Sequence, residues 1–339
     1  MPIQSSDFRF FKSSLTSDTT SAQNGGREST VEIIDNVKGL FPDVPQTERT
    51  AGSTKLRKTY ARIMVFIELV DPKICYTAPS DGDDFCLLQY TGSHVDTQDQ
   101  IPSGARHYGV GTLRDSAALG ATTLVVTLEH PLMGTTTTLR PFQAGDLVRI
   151  SNQRRAADSG SSEYRTVETV TYDGGEATIT LTAPGTTYAW DAATPIFISS
   201  VVQPGDILPR LSDVTVSSTG GTCDTGQISM SAVGVIRQTW TLTITNASTG
   251  AFRLDGDSLG GNVATGSTGA DFTPDNAGVG APYFTLPSTA WSGAWAAGDT
   301  LVITTTPGSV PLWEKRIIPA GAASIAVTGT NLAIIGESA

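Results

Sequence analysis

From residue 111 onward, short runs of Thr, Val, Ile and Leu alternate with Gly, Asp and Pro at intervals of about ten residues, the pattern of strands in a sandwich or barrel. It predicts strands over 122–128, 146–151, 164–171, 177–182, 196–202, 237–245, 252–254, 283–286 and 300–305. Asp173-Gly174-Gly175 predicts a hairpin, because Gly accepts the positive φ of a tight reversal. Ala144-Gly145-Asp146, Pro204-Gly205-Asp206 and Ala297-Gly298-Asp299 each precede an apolar run. In each, Gly makes the turn and the Asp carboxylate can accept backbone N–H groups left over at the strand entry. Their spacing is too irregular for a solenoid, so this is recurrent turn chemistry. Residues 256–282, dense in Gly and Ala, read as a long loop or a weak hairpin.

The first third is less regular. Leu56, Tyr60, Ile63, Met64 and Ile67 have helical spacing, yet Thr59, Ala61, Ile63, Val65, Ile67 and Leu69 alternate as in a strand. We favour a strand beginning near Thr59. Residues 1–30 are rich in Ser and Thr around one aromatic knot, Phe8-Arg9-Phe10-Phe11, and read as an extended arm that packs on its own domain or on a neighbouring chain.

Composition sharpens this. Of 339 residues, 39% are apolar, enough for two or three cores. Charged residues make up 16%, against about a quarter in typical soluble chains, and 35 glycines help fill the deficit. The expectation is an all-β protein: two or three sandwich- or barrel-like modules with an extended N-terminal arm and little helix. The boundaries are an arm at 1–30, a β-rich region at 31–110, a barrel or sandwich at 111–210, a second sandwich at 211–309, and C-terminal strands at 310–339 packing back on the body. No run approaches the roughly 20 apolar residues of a membrane helix, and the N-terminus lacks the apolar core of a signal peptide. We therefore expect synthesis and folding in a cytoplasm, with no membrane partner.

The formal charge is −11, and residues 111–339 are the more acidic part, with 11 Lys and Arg against 19 Asp and Glu. That sign disfavours direct nucleic-acid reading. Arg49, Lys55, Arg57, Lys58 and Arg62 form one basic run without an acid, either a solvated face or a stripe facing an acidic neighbouring subunit. Cys75, Cys86 and Cys223 lack metal-ligand spacing, so free thiols are the default. Cys75 and Cys86 flank a turn, and a bridge between them is the alternative if the protein leaves the cell.

Positive signs of catalysis are missing from the sequence. His94, His107 and His130 have no metal-ligand spacing, and there is no nucleophile elbow, phosphate loop or zinc-protease motif. Gly109-Val110-Gly111 is only a fragment of a dinucleotide fingerprint. Asp81-Gly82-Asp83-Asp84 and Asp255-Gly256-Asp257 could offer oxygen ligands to calcium, but turn-forming Asp-Gly explains both. Trp240, Trp291, Trp295 and Trp313 suit either a β core or sugar stacking. We expect no catalytic residue, no metal site and no cofactor.

Several longer runs carry a resemblance. These are Gln238-Thr239-Trp240-Thr241-Leu242, Asp271-Phe272-Thr273-Pro274, Ala281-Pro282-Tyr283-Phe284-Thr285-Leu286, Trp291-Ser292-Gly293-Ala294-Trp295-Ala296-Ala297-Gly298-Asp299 and Val310-Pro311-Leu312-Trp313-Glu314-Lys315-Arg316-Ile317-Ile318-Pro319-Ala320-Gly321. With 8–12 and Leu40-Phe41-Pro42-Asp43-Val44-Pro45 they span most of the chain. The chain resembles structural proteins encoded in the virion-assembly modules of tailed bacteriophages and prophages. The resemblance implies a non-enzymatic virion component, assembled in the bacterial host cytoplasm as copies of itself in a ring at the neck, collar or upper tail. Its further partners would be neighbouring neck, tail tube, sheath or fibre proteins. Expected interface residues are Phe8, Phe10 and Phe11 of the arm, Arg57, Lys58 and Arg62 of the basic run, and Trp313, Lys315 and Arg316 near the C-terminus. The alternatives are a baseplate or tail-fibre module gripping host-surface polysaccharide, and a polysaccharide depolymerase using paired carboxylates.

Overall fold

Ser53–Ile63 is the strand on which the N-terminal half is built, in a computed structural model that describes residues 3–34, 39–325 and 329–338. Helix Gln46–Ala51 leads into it and stops at Gly52, whose φ of +78° turns the chain out of the helix. The strand therefore starts six residues earlier than alternation suggests. Ten rungs of pairing to Ser309–Ile318, from Ser53 opposite Ile318 to Arg62 opposite Ser309, hold nearly its whole length, the polar first half included. The sheet runs Gly25–Glu32, Phe8–Leu15, Ser53–Ile63, Ser309–Ile318, Phe85–Gln89, His107–Tyr108. The C-terminal segment is thus a central strand of the N-terminal sheet.

The described part of the expected arm is instead a hairpin in this sheet. Phe8 pairs with Ile63 and Phe10 with Ala61, while Gly25–Glu32 pairs back on Phe8–Leu15. Phe8 and Phe10 lie on one face, as alternation requires, and pack partly against the core that holds Ala61, Ile63 and Leu312. Leu69–Tyr76 and Leu332–Ser338 form a separate two-stranded ribbon beside this core.

Residues from Val110 to Ser200 close a six-stranded antiparallel barrel. Its order is Ser162–Asp173, Glu176–Leu181, Thr123–Leu128, Val110–Leu113, Phe197–Ser200, Leu147–Ser151 and back. Alternate residues point inward: Leu124, Val126, Val148, Ile150, Ile179 and Leu181 fill the interior and are almost wholly buried. Gly174-Gly175 makes the reversal between Asp173 and Glu176, as the sequence predicts, with Gly174 at φ +55°.

The third unit is a five-stranded sheet, Arg210–Ser217, Thr300–Thr306, Gln238–Asn246, Ala251–Gly256, Gly260–Ser267. Its apolar face, with Trp240, Leu242, Phe252 and Ile303, packs against Phe272, Tyr283, Phe284 and Leu286. That facing layer contains the short ribbons Gly221–Cys223 with Trp291–Gly293 and Asp275–Asn276 with Ala281–Pro282. The expected strand at 283–286 appears only as single bridges, Thr285 to Ser229 and Leu286 to Phe272.

Candidate assembly surface and the ion pairs beneath it

Between the first and the last strand of the chain lies an open groove of about 710 Å³. Ile3, Phe8, Phe10, Leu332, Ile334 and Ile335 supply its apolar wall. Alternation puts Phe8 and Phe10 on the groove side, while exposed Arg9 between them pairs with Glu32 at 2.9 Å. Phe11, half-buried, belongs to the opposite parity of the strand and does not line the groove. Among the described residues, Leu332–Ser338 pairs only with Leu69–Tyr76, so its outer edge is open. Glu337 stands at one end of the groove.

The other expected interface residues converge, but inside the chain. Trp313 lies across from Lys58, Glu314 from Arg57 and Lys315 from Leu56. Lys58 and Trp313 are fully buried, and both are satisfied by Asp96: Lys58 Nζ forms an ion pair with Oδ1 at 2.5 Å, and Trp313 Nε1 donates to Oδ2 at 3.1 Å. Thr91 Oγ1 donates to the same Oδ2 at 2.8 Å. Burial lowers the Lys58 ammonium pKa and Asp96 opposes that shift, which is what a buried pair does. Arg57 pairs with Asp18 and Arg316 with Asp84 at 2.6 Å, and each guanidinium lies 5.8 Å from the Phe41 ring centroid.

Arg62 joins the N-terminal sheet to the third unit. Its guanidinium pairs with Glu28 at 2.9 Å and donates to the carbonyls of Ala232 at 2.7 Å and Val235 at 2.8 Å. Ser309 Oγ holds the other Glu28 oxygen at 2.8 Å, and Arg27 pairs with Asp257 at 2.6 Å across the same seam. Lys315 Nζ sits 3.2 Å from His107 Nε2; burial, helped by that ammonium, lowers the imidazole pKa to about 4. Six of the nine expected interface residues, Arg57, Lys58, Arg62, Trp313, Lys315 and Arg316, are therefore committed to contacts within the chain. The physical reason is cross-strand register: a basic run on one strand met acids and aromatic rings from its own chain.

The chemistry considered from sequence is also dispersed. Asp81 pairs with Arg154, Asp83 accepts from the Ala323 amide, and Asp255 pairs with Arg253 at 2.8 Å. Among the described residues no three His, Cys, Asp or Glu side chains are placed to hold a metal. Trp240, Trp295 and Trp313 are buried and unavailable to a sugar, and Trp291 is half-buried against Phe252 and Trp295. His130 stacks on Phe85, while His94 lies beside Tyr60 with its pKa lowered by burial to about 3. Cys75 and Cys86 are free thiols, which corrects the bridge considered above. They sit on different sheets, opposite Ala333 and Arg316, and burial raises the Cys75 pKa to about 11 and that of Cys86 well above its usual range.

Asp96 and Glu28, which organise these networks, carried no signal in the sequence: one lies in a polar loop and the other in the segment read as an arm. No family model matches the chain, and no curated protein or solved structure matches it either.

Proposed function

We propose that this protein is a non-enzymatic structural subunit of a tailed-bacteriophage virion that assembles with copies of itself, and that the groove between its first and last strands seats a strand of the neighbouring copy. The place in the virion, at the neck, collar or upper tail, rests on the sequence resemblance. The observation that carries the self-assembly reading is the open edge of Leu332–Ser338 beside an apolar wall that includes Phe8 and Phe10. An unpaired edge next to partly exposed apolar side chains is a template for strand addition, which soluble monomers usually block with charge or cover. A second copy is the favoured occupant because the chain also offers exposed apolar side chains at the edge of the N-terminal sheet: Val31 near the end of Gly25–Glu32 and Ile34 just beyond it are 54% and 68% exposed. A heterologous edge-to-edge contact of this kind generates a ring when its rotation closes. Light scattering over a range of concentrations tests it. A closed multiple of the 35.4 kDa chain is expected, and a monomer at every concentration would overturn the reading.

A further inference from the structure

Arg149 lies on the outer face of the barrel, where the Leu69–Tyr76 side of the ribbon covers it, and is 1% exposed. Its register partners are Tyr164 on one neighbouring strand and Ser199 on the other, so three polar side chains stand abreast on one face. The guanidinium Nη2 donates to Gln153 Oε1 at 2.7 Å. Nε, Nη1 and the Tyr164 and Ser199 hydroxyls are all shielded from solvent; the guanidinium and the Tyr164 hydroxyl interact with each other, and these atoms have no further partner among the described residues.

Among the described residues no carboxylate forms an ion pair with the guanidinium, whose Nη2 bond goes to the neutral Gln153 amide. Burial keeps the neighbouring Cys75 thiol protonated, with its pKa raised to about 11, and raises that of Tyr164 to about 12. Lys73, over the Tyr164 ring at 5.4 Å, adds positive charge that Asp71 already balances. A guanidinium cannot shed its proton in this range, and an unpaired buried charge is among the costliest features a fold can carry. The Tyr164 oxygen can accept from the guanidinium and still has its own proton to donate, Ser199 adds a second hydroxyl donor, and a guanidinium with donors to spare beside two hydroxyls has the chemistry of an anion site. Enclosure selects for size: the anion must be small and able to shed its water.

We infer that Arg149, Tyr164 and Ser199 bind a small monatomic anion of the chloride class between the barrel and the Leu69–Tyr76 strand, and that this anion joins the barrel to the N-terminal unit. Ligand binding to the folded state alone raises stability with ligand concentration. The test is thermal unfolding of the full chain in sodium chloride against sodium gluconate at equal ionic strength, with bromide as a second probe. The melting temperature is expected to rise with chloride and bromide relative to gluconate, whose ion is too large for the site. Arg149→Met should abolish the difference, and Ser199→Ala should raise the half-saturating chloride concentration at least about threefold. If Arg149→Met does not fold, Ser199→Ala and Tyr164→Phe supply the same comparison. Equal melting temperatures in chloride and gluconate overturn the inference, as does a chloride effect unchanged in these variants.

Discussion

Lys58 and Trp313 face each other on adjacent strands, and both close on the carboxylate of Asp96. The loop that carries Asp96 is thereby tied to the two central strands of the N-terminal sheet, one from each end of the chain. Removing the carboxylate leaves a buried ammonium without its counter-ion, a change that costs about 3–5 kcal/mol in comparable pairs. Asp96→Ala should lower unfolding stability by that amount. Replacing Lys58 with Met in the same chain should recover much of the loss. Urea titration of the two single variants and the double variant measures the coupling, and purely additive losses would contradict the pairing.

Gly25 lies beneath Trp313 and tests the same junction without touching a charge. Its φ is +106°, and a Cβ placed there would lie 2.5 Å from the indole Cη2 and 2.9 Å from the Asp96 carbonyl oxygen. Gly25→Ala therefore combines backbone strain with overpacking, and a loss of about 2–4 kcal/mol is expected. Gly298→Ala meets no neighbouring atom at φ +95°, so it carries the backbone penalty alone and should cost about 1 kcal/mol. Comparing the two melting temperatures separates strain from packing.

The Asp of the recurrent Gly-Asp turns was legible because its action is local. The Asp146 carboxylate accepts from the Gln143 amide at 2.6 Å and that of Asp299 from the Ala296 amide at 2.8 Å, each three residues back. Asp206 departs from this and takes the Asp71 amide from another module at 2.9 Å. Barrel strands were equally legible, since period-two alternation with Gly at the reversals is written in consecutive residues. Long-range pairing was not. Nothing in the sequence 53–58 announces that Trp313 and Arg316 lie across from it, so residues that read as an exposed basic stripe became an internal lattice of ion pairs. The groove was half visible: Phe8 and Phe10 were marked by their bulk, but their wall partners Ile334 and Ile335 come from the other end of the chain.

Arg62 is the main polar link between the N-terminal sheet and the third unit, through Glu28 and the carbonyls of residues 232–235. Arg62→Met keeps much of the side-chain bulk while removing every one of those bonds and leaving Glu28, in a site of low exposure, with the Ser309 hydroxyl bond but without this counter-ion. A destabilisation of about 3 kcal/mol is expected, concentrated at the seam. Hydrogen exchange should accelerate across residues 232–235 while the barrel strands keep their protection. Uniform acceleration over all three units would show that the link is not local.

The pH dependence of stability contains two opposed parts. Burial raises the carboxyl pKa of both Glu129 and Glu314 to about 7, and the hydrogen bonds from Ser80, Tyr76 and Thr59 only partly offset it. An unfolded glutamate loses its proton near 4.5, so between 4.5 and 7 the folded state holds more protons and stability falls as pH rises. His94 and His107, lowered to about 3 and 4, act the other way: below 6.5 the unfolded chain takes up protons first and stability falls as pH drops. Between about pH 4.5 and 6.5 these contributions oppose one another. Glu314→Gln should therefore make stability increase more steeply from pH 5 to 7, and His107→Asn should make it increase less or fall. Denaturant midpoints at pH 5, 6, 7 and 8 report both slopes, and unchanged slopes would show that neither group is buried as described.

Ile335 offers the cleanest disturbance of the groove, because it lines the wall but is not among the side chains packed on the core behind Phe8, Phe10 and Ile334. A lysine there places a solvated charge where a neighbouring strand would lay apolar side chains, while its own backbone pairing with Lys73 can persist. Ile335→Lys should weaken self-association at least tenfold, about 1.4 kcal/mol, and shift the mass from an assembled species toward the single chain. The melting temperature measured below the association threshold should stay within a few degrees of the parent protein. Leu119→Lys, at a position 69% exposed on the barrel unit, is the matched control and should leave assembly unchanged. If both variants assemble like the parent, the neighbouring copy does not use this groove; if both fail to assemble, the barrel takes part in the contact and the interface is wider than the two terminal strands.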